Sequence, residues 1–145
     1  MVDQTEVGRI SMVISFEEKT PEVGIKCQKI KEIFENLGFE QLILTIHPFG
    51  LDNEIPGKCS NANYSLRQAV EVLREDLGNE FNPERIIVTT CDADSHFHTS
   101  YISALTSKFL QEKNPHGVIF QAPLLYNWGL DKGRLSIAKV CTNPS

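Results

Sequence analysis

The sequence has no long apolar run: no stretch approaches the length needed to cross a bilayer, and the first residues lack the apolar segment of a signal peptide. It has no run of basic residues either. With a net charge of −5 over 145 residues, generic nucleic-acid binding through phosphate neutralisation is not expected. There is no Cys-x-x-Cys pair; Cys27, Cys59, Cys91 and Cys141 stand far apart, as reduced intracellular thiols do, and three of them fall where apolar or tightly packed positions are expected. Internal repeats, low-complexity linkers and the P-loop spacing are all missing. These absences leave the expectation of a soluble, cytoplasmic, single domain over residues 1–145, with the 41% hydrophobic and 23% charged composition of an ordinary globular protein. An acidic chain that binds a phosphorylated ligand needs a countercharge, and a divalent cation is the usual one.

What is present is an alternation of strand-like and helix-like segments. Ile10–Phe16 reads as a buried strand. Thr20 as N-cap and Pro21 at the first helical position predict a helix in which Val23, Cys27, Ile30, Phe34 and Leu37 share a face, ended by Gly38. Gln41–Ile46 is the second strand, followed by a Pro- and Gly-containing loop over His47–Gly57. A second helix is expected from about Ser60, with Ala62, Leu66, Ala69 and Leu73 on one face. Arg85–Cys91 reads as a third strand, Thr99–Glu112 as a third helix, and Gly117–Tyr126 as a fourth strand interrupted by Pro123. This order predicts an α/β fold: a Rossmann-like, three-layer α/β/α arrangement with a mainly parallel sheet. In such sheets ligands bind outside the carboxyl ends of the strands.

Two constellations carry chemistry. Asp92 and Asp94 lie one residue apart at the carboxyl end of the third expected strand. Two carboxylates so close repel each other, and a hard cation resolves that by taking their oxygens and leaving sites for a ligand's phosphates. A solvated loop containing a helix N-cap is the competing reading. His96 and His98 raise another, an Asp-x-Asp-x-His-x-His zinc or iron site, though that series shares a face only if the strand persists past Ser95. The second constellation is Gly57-Lys58 before a helix start, with Ser60 and Asn61 as capping residues. Helix N-termini attract anions, and a lysine adds a full charge.

The segments "HPFGLDNEIPGKCSN", "CDADSHF" and "QAP" resemble the family 2 glycosyltransferases with the GT-A fold, over roughly Ile10 to Tyr126. The resemblance implies a truncated GT-A domain that binds a nucleoside diphosphate sugar. It implies manganese or magnesium held by Asp92 and Asp94, with Asp92 also at the ribose. Lys58 and Asn61 would serve the nucleotide loop, and Glu17 or Glu18 the base. The cation would neutralise the departing diphosphate during hexosyl transfer. After Tyr126 the family's catalytic base has no matching motif, so no catalytic residue is named, and little or no turnover is expected of this chain alone. Two alternatives follow: a non-catalytic nucleotide-binding or protein-interaction module of the same fold, and a metal-dependent hydrolase using His96 and His98. A missing acceptor half would leave a sheet edge to be covered by Arg134–Val140, by a longer parent chain that could bring membrane association, or by self-association into a homo-oligomer.

Overall fold

The computed structural model describes residues 10–121. The chain divides into two compact units, Met1–Gln111 and Glu112–Ser145. The described part of the first is mixed α/β, with a two-stranded parallel sheet and three helices. Strand β1 (Ser11–Glu17) and strand β2 (Gln41–His47) pair from Ser11 opposite Gln41 to Glu17 opposite His47. Helix α1 (Val23–Phe34) connects them, giving a β–α–β unit.

The start of α1 differs from the expected one. The Thr20 amide donates to the Glu17 carbonyl at 2.9 Å, so Thr20 closes a turn and does not cap the helix. The cap position belongs to Glu22, in left-handed backbone at φ 55°. The predicted face holds: Val23, Cys27, Ile30 and Phe34 are the half-buried residues of α1. Gly38, at φ +77°, turns the chain toward β2 in a conformation that glycine adopts without steric cost.

Helix α2 (Lys58–Leu77) begins two residues before the expected start. Its cap is Gly57, at φ 151° and ψ −177°, a region open essentially to glycine alone. Ser60 lies inside the first turn, its hydroxyl donating to the Gly57 carbonyl at 2.8 Å. The buried face is also rotated from the expected one. Ser60, Ser65 and Ala69 are buried, whereas Ala62 and Leu66 are exposed. Small side chains allow a helix to sit close on a sheet, and polar ones need partners there. They have them: Ser15 of β1 hydrogen-bonds the Asn61 side chain, and Ser65 donates to the Asn61 carbonyl at 2.6 Å.

Parallel pairing puts Val13, Ser15 and Glu17 on the same face as Ile43, Thr45 and His47, and α2 packs on both strands. That contact is unusually polar. The buried residues are Ile43 and Ala69 together with Thr45, His47, Ser60 and Ser65. The Thr45 hydroxyl is buried with no hydrogen-bond partner among the described residues.

After α2 come two short 3-10 turns, Gly78–Glu80 and Pro83–Arg85, the latter capped by the Asn82 carboxamide oxygen accepting from the Glu84 amide at 3.0 Å. The expected third strand does not form a ladder among the described residues. Ile86 leaves the turn in extended backbone, but Ile86–Thr90 pair with neither strand, and Val88 is exposed. β-branched residues favour a strand through packing against neighbouring strands, and although Ile86 and Ile87 are half-buried, no described strand lies beside them to pair with. Helix α3 (Tyr101–Gln111) falls inside the expected span.

In the second unit, Pro115–Gly117 form a 3-10 turn and 118–121 join no strand. Residues 122–126 of the expected fourth strand, like 134–140, lie outside the described residues. Of the cysteines described, Cys27 is half-buried, while Cys59 and Cys91 are exposed, so the expectation of three packed cysteines is not met; all three are free thiols. No helix among the described residues is long and apolar enough to cross a membrane.

Candidate functional site

The carboxyl edge of the sheet is where the chemistry gathers. β1 ends at Glu17 and β2 at His47, directly opposite each other, and the loop after β2 leads into α2. The His47 side chain is 4% exposed. Its Nδ1 lies 3.0 Å from Glu17 Oε2, and its Nε2 lies 2.8 Å from Glu54 Oε2. Ionised carboxylates only accept, so satisfying both contacts requires a ring that donates from both nitrogens, the imidazolium. The pKa of His47 is accordingly raised: the hydrogen bonds to Glu17 and then Glu54 outweigh the opposing effect of burial. Glu54 is lowered, chiefly by its bond to His47 and further by Arg67, whose guanidinium donates to Oε1 at 3.0 Å. The Tyr64 ring of α2 packs on the imidazole with centroids 5.1 Å apart.

The loop is held at a second point. Phe49 donates its amide to Glu18 Oε2 at 2.8 Å, and the Lys19 ammonium sits 3.0 Å from the centroid of the Phe49 ring. Glu17 and Glu18 therefore both anchor the loop to the end of β1.

A second cluster lies at the start of α2. Lys58, the first helical residue, donates through Nζ to Asp92 Oδ1. Both side chains are well exposed, 74% and 56%. The Lys58 pKa is raised, first by the hydrogen bond to Asp92, then by its charge, with Asp94 contributing at longer range. Asp94 lies in a turn closed by the Ser95 amide donating to the Asp92 carbonyl at 3.0 Å. Beside it, burial and the Asp92 charge push the Cys91 thiol up, making it a weaker nucleophile at neutral pH. His98 Nδ1 accepts from the Ser100 amide at 3.2 Å, and the rings of Phe97 and Tyr101 stack with centroids 4.5 Å apart. Among the described residues, no group of three or more His, Cys, Asp or Glu could hold a metal ion by itself, so the four-ligand series through His96 and His98 is not assembled.

The residues singled out from sequence thus fall into two groups. Lys58 and Asp92 touch, with Asp94 inside the same electrostatic field. Asn61, one turn along α2, has its side chain engaged by Ser15, while Glu17 and Glu18 brace the loop. Sequence reasoning passed over His47, Glu54 and Arg67. The signal that could have found His47 is the alternation Ile43, Thr45, His47: a strand whose one face turns polar toward its end. Compared with protein-family models, with curated proteins and with solved structures, the chain matches none.

Proposed function

We propose that this chain is a glycosyltransferase-like domain that binds a nucleoside diphosphate sugar at the start of α2. A magnesium or manganese ion bound by Asp92 and Asp94 is part of that reading. The observation that carries it is the contact between Lys58 and Asp92. A lysine on a helix's first residue and the Asp92 carboxylate, separated by more than thirty positions in the chain, meet at one exposed surface, with Asp94 acting on the lysine at longer range. Free helix amides and a lysine suit phosphate oxygens.

Carboxylate oxygens suit a hard cation, and Asp92 already engages one, the Lys58 ammonium. That no third protein ligand joins Asp92 and Asp94 among the described residues is compatible with magnesium or manganese, which complete their shells with substrate phosphates and water. The ion, when bound, would neutralise charge developing on a departing diphosphate. The residues of the chain would hold the donor. Lys58 would pair with its phosphates, and Gly57 would present the α2 amides.

Titration calorimetry with UDP and GDP, with and without manganese, tests this. The expected result is binding that weakens roughly tenfold or more on chelation and in Asp94→Ala. Affinity indifferent to both would reject the metal-assisted reading. Detectable sugar transfer by the chain would show that it supplies a catalytic base as well.

A further inference from the structure

The bridge between Glu17, His47 and Glu54 has no part in the proposed ligand site, yet it joins the sheet to the loop that precedes α2. We propose that His47 is the positioning residue of this edge: while its ring carries two protons it ties the loop over 49–57 to β1, and losing one proton releases that loop. The proposal is independent of what the protein binds.

The geometry forces the dependence. A neutral imidazole donates from one nitrogen and turns a lone pair outward from the other. Carboxylates face both positions, at 3.0 and 2.8 Å, so a neutral ring meets one of them lone pair to lone pair. One must withdraw, and the two are not equally free. Glu17 is the last residue of a strand held in register. Glu54 belongs to a loop containing Gly50 at φ 79° and Asn53 at φ 63°, and ending at Gly57. Glu54 is therefore the one to leave the ring, parting the loop from the sheet while its other oxygen stays on the Arg67 guanidinium of α2.

The groups that set the response are few. Glu17 faces the ring from β1, Glu54 from the loop, and Tyr64 from α2, with Arg67 acting through Glu54. Glu18 and Lys19 hold Phe49, beyond the ring, and together with the Arg67–Glu54 pair give the loop attachments indifferent to the His47 proton. Release at Glu54 carries Gly57 with it. The Gly57 carbonyl accepts from the Asn61 amide at 3.0 Å and from the Ser60 hydroxyl, so the first turn of α2 loosens together with the loop.

Amide exchange followed by NMR from about pH 5.5 to about pH 9, corrected for the intrinsic pH dependence of exchange, tests the proposal. The Glu54 amide, bonded to the Leu51 carbonyl, reports the loop; the amides of Ile43 and Thr45 report the sheet. Loop opening should be flat below about pH 6.5. Above that it should rise by up to about tenfold per pH unit until the ring of the closed form has titrated, while the sheet amides stay protected. In His47→Gln the step should vanish. Should that variant not fold, the ring ¹⁵N shifts of wild-type His47 give its protonation directly, and their midpoint should coincide with that of loop opening. A ring already neutral at about pH 6, loop exchange flat through the ring's titration, or sheet amides opening in step with the loop would each overturn the proposal.

Discussion

The two clusters at the carboxyl edge use the same ingredients, a cation between carboxylates, to opposite ends. His47 is buried, bonded on both sides and backed by Arg67, whereas Lys58 and Asp92 meet in solvent. A buried cation cannot be replaced by water when its partners change, so its charge state becomes a condition for the local structure. An exposed pair contributes little to stability and can exchange partners readily. The first is built to hold, and the second can change partners.

That contrast can be broken at several points. The largest effect is expected from His47→Ala, which leaves Glu17 and Glu54 facing an empty site with no shared cation. Loss of the cooperative thermal transition, followed by circular dichroism, is the expected outcome. A variant that melts with the wild type would mean the bridge is not structural. Gly57→Ala comes next. At φ 151° a side chain is strained, and about 1–3 kcal/mol should be lost in urea unfolding, although the added methyl meets no neighbouring atom.

The third prediction concerns pH. The His47 value is raised above its ordinary 6.5, so its stabilisation is complete below that value and is lost as pH rises through the folded-state value. The Glu54 value is lowered from its ordinary 4.5, so its stabilisation is complete above 4.5 and lost as pH falls through the folded-state value. Urea midpoints should therefore peak between those two ordinary values, and His47→Gln should remove the alkaline decline. The smallest effect on stability is expected from Lys58→Ala, whose urea midpoint should match that of the wild type. Its affinity for UDP with manganese should nonetheless fall roughly tenfold. A stability loss comparable to that of Gly57→Ala would erase the distinction between the two clusters.

The sequence made β1, β2 and α1 legible because each combines an unbroken apolar pattern with turn residues at its ends. Ile86–Thr90 have the same β-branched character as β2, and yet no ladder forms there among the described residues. A strand depends on its neighbour, which a local pattern does not contain. The face of α2 is legible only in part: Ala69 is buried and Leu73 half-buried as expected, but Leu66 outweighs Asn61 and Ser65 in the local pattern, and the Ser15 hydroxyl opposite explains the polar choice. Asp92 and Lys58, which touch, stand out through their motifs. His47 was not, since its partners lie 30 and 7 positions away and are brought to it by the β1–β2 register and the loop.

A helix whose buried residues are two serines and an alanine, with Tyr64, Val70, Val72 and Leu73 only half-buried, shields little hydrocarbon from water. The heat-capacity increment on unfolding scales with that hydrocarbon, so this β–α–β unit should have a shallow dependence of stability on temperature. Its stability curve against temperature should then be broad and weakly bent, which a small heat-capacity step in a calorimetric scan would show.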